Sequence, residues 1–526
     1  MKKFIRNLLS GYSFLLLLLL LEILVFLVIQ TNMDSFITNV VGVDKYSETA
    51  QAIVALIYVA FRIIAFVVAF FIFFKIINKP EDPEFKIPWI VGMLLLPFFF
   101  SMMFLIFGSH GLRKKDRRIV QATKLAYNEH FYLKDDTKEK LGNAVGAFTY
   151  LNSTTKLGPH SGNRVTYYKN GETFFPAMIE ALKEAKDFIF IEFFIISDGK
   201  EWSSVSDILI EKAQQGVEVR LVYDDLGCAG TISPRTPKKL GKYGIKCYKF
   251  HKFKPFLHRS YNNRTHRKIV VVDHKYAFTG GINLADEYAN EIKRFGYWKD
   301  TMIRIEGSAI TNLITTFLQD YDLCTKEPSD YNKYLDFEYP KFKDEGYISP
   351  FGDGPGGIDN ALIGEQNYIN ILHYAKKRVD ISTPYLIPTY QLLDAMRNAA
   401  LRGVEVNLIL PGIPDKKMVY RMAKSNFPFL LDAGVNIYLY TPGFNHMKSA
   451  LADGELGFIG TINCDFRSLV HHFECGATLY KNPCLKELQE DFEEMLNVSA
   501  KVPKDFRLGV GARFVCAILK LFYPLF

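Results

Sequence analysis

The stretch "RTHRKIVVVDHKYAFTGGIN" (residues 264–283) places a histidine and a lysine two apart, runs into four β-branched aliphatics and closes on an aspartate and a paired-glycine turn. Strand residues two apart point to the same face, so His266 and Lys268 project together from the end of a buried strand. One such pattern reads equally well as ordinary polar residues at a strand end. A second copy changes that reading. "NHMKSALADGELGFIGTIN" (445–463) sets His446, Lys448 and Asp453 at the same internal spacing as His266, Lys268 and Asp273, and Asn463 follows its histidine at the same distance as Asn283.

The flanking sequence repeats too. "FPAMIEALKEAKD" is an amphipathic helix, "FIFIEFFII" a buried strand, "SDILIEKAQQG" a helix closed by glycine and "VEVRLVYDD" a strand. "YINILHYAKKR", "VDISTPYLIP", "LLDAMRNAALRG" and "VEVNLILPG" repeat that order, and the junctions "AQQGVEVRLVY" and "ALRGVEVNLIL" are nearly one string. Strands separated by helices of this length indicate an α/β sandwich. The expected architecture is two pseudo-symmetric α/β lobes, 166–345 and 346–500, facing each other so that the two motifs meet.

Two histidines, two lysines and two asparagines converging on one spot suit a phosphate diester. The lysines supply charge for the phosphoryl oxygens and the asparagines supply amide donors. One histidine attacks phosphorus while the other protonates the leaving oxygen. The catalytic set is His266, Lys268, Asp273, His446, Lys448 and Asp453, with Asn283 and Asn463 binding phosphate. Within it the two aspartates, one register out and opening the turn, read as structural caps more than as reacting groups. A nucleophilic histidine needs a carboxylate on its other nitrogen, for which Asp300 in "YWKD" and Glu474 in "HHFE" are the candidates. No metal and no cofactor is invoked, because no carboxylate cluster of metal-ligand type accompanies the motifs.

The 526-residue chain is 49% apolar, which excludes a disordered protein. Three segments, 14–30, 53–77 and 87–108, approach the length needed to cross a bilayer of about 30 Å, so 1–110 is expected to be a membrane anchor with two to three transmembrane or re-entrant segments. The first is too long in its apolar core for a cleaved signal peptide. Lys2, Lys3 and Arg6 precede the anchor, and Arg113, Lys114, Lys115, Arg117 and Arg118 follow it in the connector 111–165. The positive-inside rule then wants both ends cytoplasmic and an even number of crossings. Either one segment is re-entrant, with Pro88, Pro97 and Glu22 marking candidates, or the amino terminus lies outside; the larger basic cluster places the lobes in the cytoplasm.

Seven scattered cysteines with no CxxC spacing suggest neither a disulfide framework nor a zinc site. No acidic residue falls between Leu226 and Val272, where twelve lysines and arginines do, from Arg235 to Lys268 and including Lys254 and Arg259. That stretch reads as a surface for anionic lipid, as a solvated basic loop, or as a nucleic-acid face. The anchor and the lack of stacking aromatics at the motifs argue against nucleic acid. The tail 501–526 mixes arginine and lysine with apolar residues, as an interfacial or a packing helix would.

His-x-Lys-x4-Asp followed by a Gly-x-x-Asn turn, present twice, resembles the phospholipase D superfamily. "NNRTHRKIVVVD", "FTGGINLADEY", "YWKDTMIRIEG" and "GTINCDFRSL" look like its bacterial cardiolipin synthase branch. The resemblance implies a multi-pass cell-membrane enzyme, without cofactor, that transfers a phosphatidyl group from one phosphatidylglycerol to another through a phosphohistidine. In it His266 is the nucleophile, His446 the acid and base, and Asp300 and Glu474 orient the histidines. The nucleophile's assignment to the first copy comes from the family; nothing in the sequence distinguishes the two histidines. Water, phosphatidylethanolamine or an alcohol as acceptor is the alternative, and a homo-oligomer is compatible with it. The chain departs from the branch at His472, where asparagine is usual, and in its third apolar segment.

Overall fold

The structure is a computed structural model that describes residues 48–79, 83–108, 111–127, 135–252, 262–343, 346–355 and 361–520. The apolar segment 14–30, the basic residues Lys2, Lys3 and Arg6, Lys254 and Arg259, and the last six residues lie outside the described residues. Two units separate, 1–110 with 253–261 and the remainder of the chain.

In the first unit a helix runs from Glu48 to Ile77, and its part Val59–Ile77 is long and apolar enough to cross a membrane. Its large side chains, among them Ile63, Phe66, Phe71 and Phe74, are exposed, as expected of a surface that faces lipid rather than water. The third apolar segment, 87–108, expected as a transmembrane or re-entrant piece, is divided. Helices Pro83–Leu95 and Pro97–Phe107 meet at Leu96, whose φ of −135° and ψ of 79° leave the helical region. Pro97 causes the break: its ring excludes the helical conformation from the residue before it and starts the next helix at N1. At 13 and 11 residues the pieces are about 20 and 16 Å long, each short of a bilayer. They fold against each other, a Cβ at Gly92 standing 2.2 Å from the Phe100 ring, and with Ala69, Ile72 and Ile76 they enclose Trp89, Met93 and Phe104.

The second unit carries the repeat. One seven-stranded sheet runs edge to edge Arg164–Tyr168, Met302–Glu306, Tyr276–Gly280, Ile269–Val272, Phe188–Phe193, Glu218–Asp224, Lys246–Phe250. The other runs His160–Ser161, Tyr347–Asp353, Glu474–Tyr480, Leu456–Gly460, Ser449–Ala452, Arg378–Ser382, Glu405–Pro411, Asn436–Tyr440, Ser499–Lys501. Without its two edge strands the second sheet repeats the order of the first. The two edge strands come from the flanking segments: His160–Ser161, from the connector, joins the second lobe's sheet, and Ser499–Lys501 closes its other edge. The lobes form one body, because a single core takes Phe190, Val271 and Ile303 from the first and Leu451, Ile459 and Leu479 from the second. Helix Ile310–Thr325, buried along almost its whole length, is packed into that core.

The acid-free stretch is only partly a surface. Arg235, Lys238, Lys239 and Lys242 are exposed, but Arg264 is buried on Asp224 at 2.7 Å, and Arg267 and Lys268 are fully buried. At the carboxyl end, helix Val510–Lys520 buries Cys516 and exposes Val510, Phe514 and Ile518. All seven cysteines are free thiols.

Candidate active site

His266 and Lys268 do not lie on the strand itself, which begins at Ile269. The lead-in leaves its own sheet because it pairs with the other lobe: the His266 amide donates to the Phe473 carbonyl at 2.7 Å, beside a bridge between Thr265 and Phe473. The second copy mirrors this. Gly443–Asn445 pairs in parallel with Tyr297–Lys299, and the His446 amide donates to the Lys299 carbonyl at 2.7 Å. Each motif is thus held by the opposite lobe.

The same exchange fixes the carboxylates. His266 Nδ1 lies 2.9 and 3.0 Å from the two oxygens of Glu474, and His446 Nδ1 lies 2.6 Å from Asp300 Oδ2. Each histidine takes its carboxylate from the other lobe, so neither half-site is complete alone. With Nδ1–H donated to a carboxylate, Nε2 of each ring keeps its lone pair for chemistry. Ser468 Oγ donates to Glu474 at 2.7 Å, and Thr461 Oγ1 also donates to it. Gly281 makes room for Asp300: a Cβ there would stand 2.0 Å from Asp300 Oδ1, which explains the second glycine of "TGGIN".

Both rings are nearly closed to solvent, at 6% exposure for His266 and 7% for His446. Burial first, then the positive charge of Lys268 and Lys448, holds both imidazoles well below their ordinary range, so both are neutral near pH 7. Lys268 and Lys448 are fully buried and donate to the carbonyls of His266 and His446. Burial pushes their ammonium groups down to about 8 and about 7 and pushes Asp300 up to about 6. Both motif asparagines are buried: Asn283 accepts from the Ile195 amide at 3.0 Å and donates to the Tyr288 hydroxyl at 2.7 Å. Asn463 is buried with Oδ1 lacking a hydrogen-bond partner.

Asp273 and Asp453, counted with the catalytic motifs, stand elsewhere. Each sits at the far end of its strand in the left-handed region, with φ of 50° and 52°. Asp273 accepts the amides of Lys186, Asp187 and Phe188 at 2.8–2.9 Å, and Asp453 those of Lys376, Lys377 and Arg378 at 2.8–2.9 Å. These carboxylates tie a turn to the start of the neighbouring strand; they touch no reacting group. Asp273→Ala is expected to lower stability by about 1–3 kcal/mol through the orphaned amides, with kcat of the folded protein within about threefold of the parent, since transition-state contacts are untouched. Thermal melts with parallel turnover measurements check this; a loss of kcat as large as that of a motif histidine would return the aspartate to the reaction.

Sequence reasoning missed Arg267, between the two motif residues and pointing the other way. Its guanidinium donates to the carbonyls of Glu474 at 3.0 Å, Thr316 at 3.0 Å and Asp353 at 2.9 Å, and pairs with Asp320 at 2.8 Å. It also missed that His266, His472 and Glu474 bring ligand atoms within 4.8 Å of one another, because His266 comes from the first lobe and the other two from the second.

A duplicated α/β body with two buried histidine–lysine pairs and two carboxylate-oriented imidazoles defines a phosphodiester-processing centre of phospholipase D type. The family model described as "Cardiolipin synthase, PLD-like domain" matches residues 178–319 and 368–496. Cardiolipin synthase 2 of Bacillus anthracis is 33% identical over 87% of this chain and 90% of its own length, and a cardiolipin synthase of Staphylococcus aureus 31% over 79% and 86%. An uncharacterized protein of Streptococcus mutans is 39% identical over 86% of this chain and 98% of its own. The fold is shared with the crystal structure of phosphatidylserine synthase from Haemophilus influenzae, which has a TM-score of 0.55 at 14% identity and covers 73% of this chain and all of that one. The chain belongs to the cardiolipin synthase family of phospholipase D-like enzymes.

Proposed function

We propose that the chain joins two phosphatidylglycerol molecules into cardiolipin and free glycerol, by two displacements at phosphorus. The observation that carries this reading is the crossed pairing of His266 with Glu474 and His446 with Asp300, which leaves two Nε2 atoms as the reactive positions of one site. His266 Nε2 attacks phosphorus, the bond from phosphorus to the glycerol oxygen breaks, and His446 delivers a proton to that oxygen. The negative phosphate offsets the lysines that otherwise disfavour imidazolium, so His446 takes up the required proton when substrate binds. The hydroxyl of a second phosphatidylglycerol then gives its proton to His446 and attacks phosphorus, and the phosphorus–nitrogen bond breaks to restore His266. Lys268, Lys448, Asn283 and Asn463 hold the phosphoryl oxygens, which gather charge in both transition states.

Purified protein in phosphatidylglycerol vesicles is expected to yield cardiolipin and glycerol in equal amounts without nucleotide. Phosphatidic acid as the main product would instead indicate water as acceptor, and no product would refute the reading. The value of kcat/KM is expected to peak at about pH 6–7. As pH rises through 7 to 8 the free enzyme loses the lysine cations that hold phosphate; as pH falls through 6 Asp300 is protonated and stops orienting His446. A profile flat from pH 5 to 9 would contradict these roles.

The lobes face the cytoplasm in this proposal. With 87–108 divided at Pro97 and re-entrant, crossings at 14–30 and 53–77 give the even number that basic residues at both ends require. Protease added outside sealed right-side-out vesicles should leave the lobes intact; their digestion would reverse the orientation.

A further inference from the structure

We propose that His266, His472 and Glu474 form an inhibitory site for a divalent transition metal, best matched by Zn2+, whose occupancy switches the transfer site off. This rests on the reading of His266 as the attacking group, although metal binding itself does not. Two imidazoles and one carboxylate are the donor set of open zinc sites that keep a fourth position for water or a substrate oxygen. Bonds of about 2.0–2.1 Å in a tetrahedron separate ligand atoms by about 3.3 Å. Two of the three separations already bracket that value at one carboxylate oxygen: Glu474 Oε1 is 3.0 Å from His266 Nδ1 and 3.5 Å from His472 Nδ1. All three atoms fall within 4.8 Å of one another.

His472 is the independent sign of a ligand. The residue is 8% exposed, and its Nδ1 is buried without a hydrogen bond. Its ring stands 5.6 Å from that of His266, across Glu474. A buried ring nitrogen left without a hydrogen bond costs stability unless something fills it, and a cation held jointly by that nitrogen and the neighbouring Glu474 oxygen, 3.5 Å away, does so. Ser468 and Thr461 fix the carboxylate from behind, the support that metal-binding carboxylates usually have. The other half-site differs: around His446 stand Tyr288, Trp298 and Phe444, and no third ligand joins Asp300 among the described residues. The metal therefore selects one histidine. Binding replaces the Nδ1 proton of His266, which passes to solvent, and the imidazole bound to a cation loses nucleophilicity at Nε2.

The test uses metal-free full-length protein in detergent, titrated with ZnCl2 against a chromophoric chelator and, in parallel, in a lipid-transfer assay. One equivalent is expected to bind, activity to fall at least tenfold, and EDTA to restore it. His472→Asn is expected to weaken both zinc affinity and inhibition at least about tenfold, each compared with the same variant free of metal. His446→Gln is expected to keep the zinc equivalent while losing about 10^2- to 10^4-fold of its lipid turnover, which separates failure of this site from failure of the functional reading. Co2+ in the parent protein supplies a readout that needs no variant: a visible spectrum of tetrahedral nitrogen and oxygen ligation. Unchanged zinc affinity in His472→Asn, zinc bound without inhibition, or no tetrahedral Co2+ spectrum would overturn the proposal.

Discussion

His266→Ala is expected to lower cardiolipin formation by roughly 10^4- to 10^6-fold, the range seen when a covalent nucleophile is removed from a site whose parts act together. His446→Ala should fail differently. With phosphatidylglycerol the leaving glycerol oxygen needs a proton, so loss of the general acid costs about 10^2- to 10^4-fold. With a p-nitrophenyl phosphodiester the leaving group departs as an anion, and His446→Ala should retain most of the first step while His266→Ala retains none of it. Stopped-flow release of p-nitrophenol reads that step directly. Equal losses in the two variants on the activated substrate would contradict the division of roles, and a reversed pattern would exchange them. Glu474→Gln belongs with His266→Ala and Asp300→Asn with His446→Ala, since the crossed pairs join each carboxylate to the histidine of the other lobe.

Arg267→Met is expected to destabilise the two-lobe body by about 3–5 kcal/mol, the cost of leaving a buried counter-charge unpaired. The guanidinium is fully buried, and the network behind it contains Asp320 and Glu192, the latter accepting from Thr265 at 2.5 Å. Burial raises both carboxyls above their usual range while Arg267 opposes the rise. Three carbonyls, on Thr316, Asp353 and Glu474, lose their donor in the same stroke. Lysine does not rescue the site, because one ammonium cannot reproduce a planar fork that reaches both lobes. The double variant Arg267→Met with Asp320→Leu should recover part of the loss, because it removes the stranded charge as well. Thermal unfolding of the detergent-solubilised proteins measures this; single and double variants that melt with the parent would show that the ion pair holds nothing together.

Arg267 also marks where sequence reading stops. The pair His266 and Lys268 was legible because period-two spacing recurs at the matching place in two α/β halves. A charged residue between them, read locally, belongs to solvent; only the second lobe packed on the other face makes it a buried clamp. The same limit hid the crossed carboxylates. Asp300 and Glu474 were recognisable as acids downstream of the asparagine turns, but which histidine each serves depends on pairing between Thr265 and Phe473 and between Phe444 and Trp298, contacts between segments far apart in the chain. Asp273 and Asp453 share the motif's spacing, yet they occupy the end of the strand away from the chemistry, so the motif mixes reaction with architecture. In the apolar amino-terminal region Pro97, one of the residues that marked the third segment as a re-entrant candidate, divides it into two short helices. The edge strand His160–Ser161 escaped notice because two residues carry no periodicity and take their conformation from the neighbouring strand.

The most direct measurement is a covalent trap. Protein mixed with phosphatidylglycerol labelled in its phosphate, quenched in alkaline detergent within milliseconds and digested, should yield a phosphatidyl adduct on the peptide carrying His266, identified by tandem mass spectrometry. The adduct should be absent from His266→Ala, and it should disappear from the parent as cardiolipin forms. Cardiolipin formed at full rate with label on neither His266 nor His446 would contradict a covalent histidine mechanism.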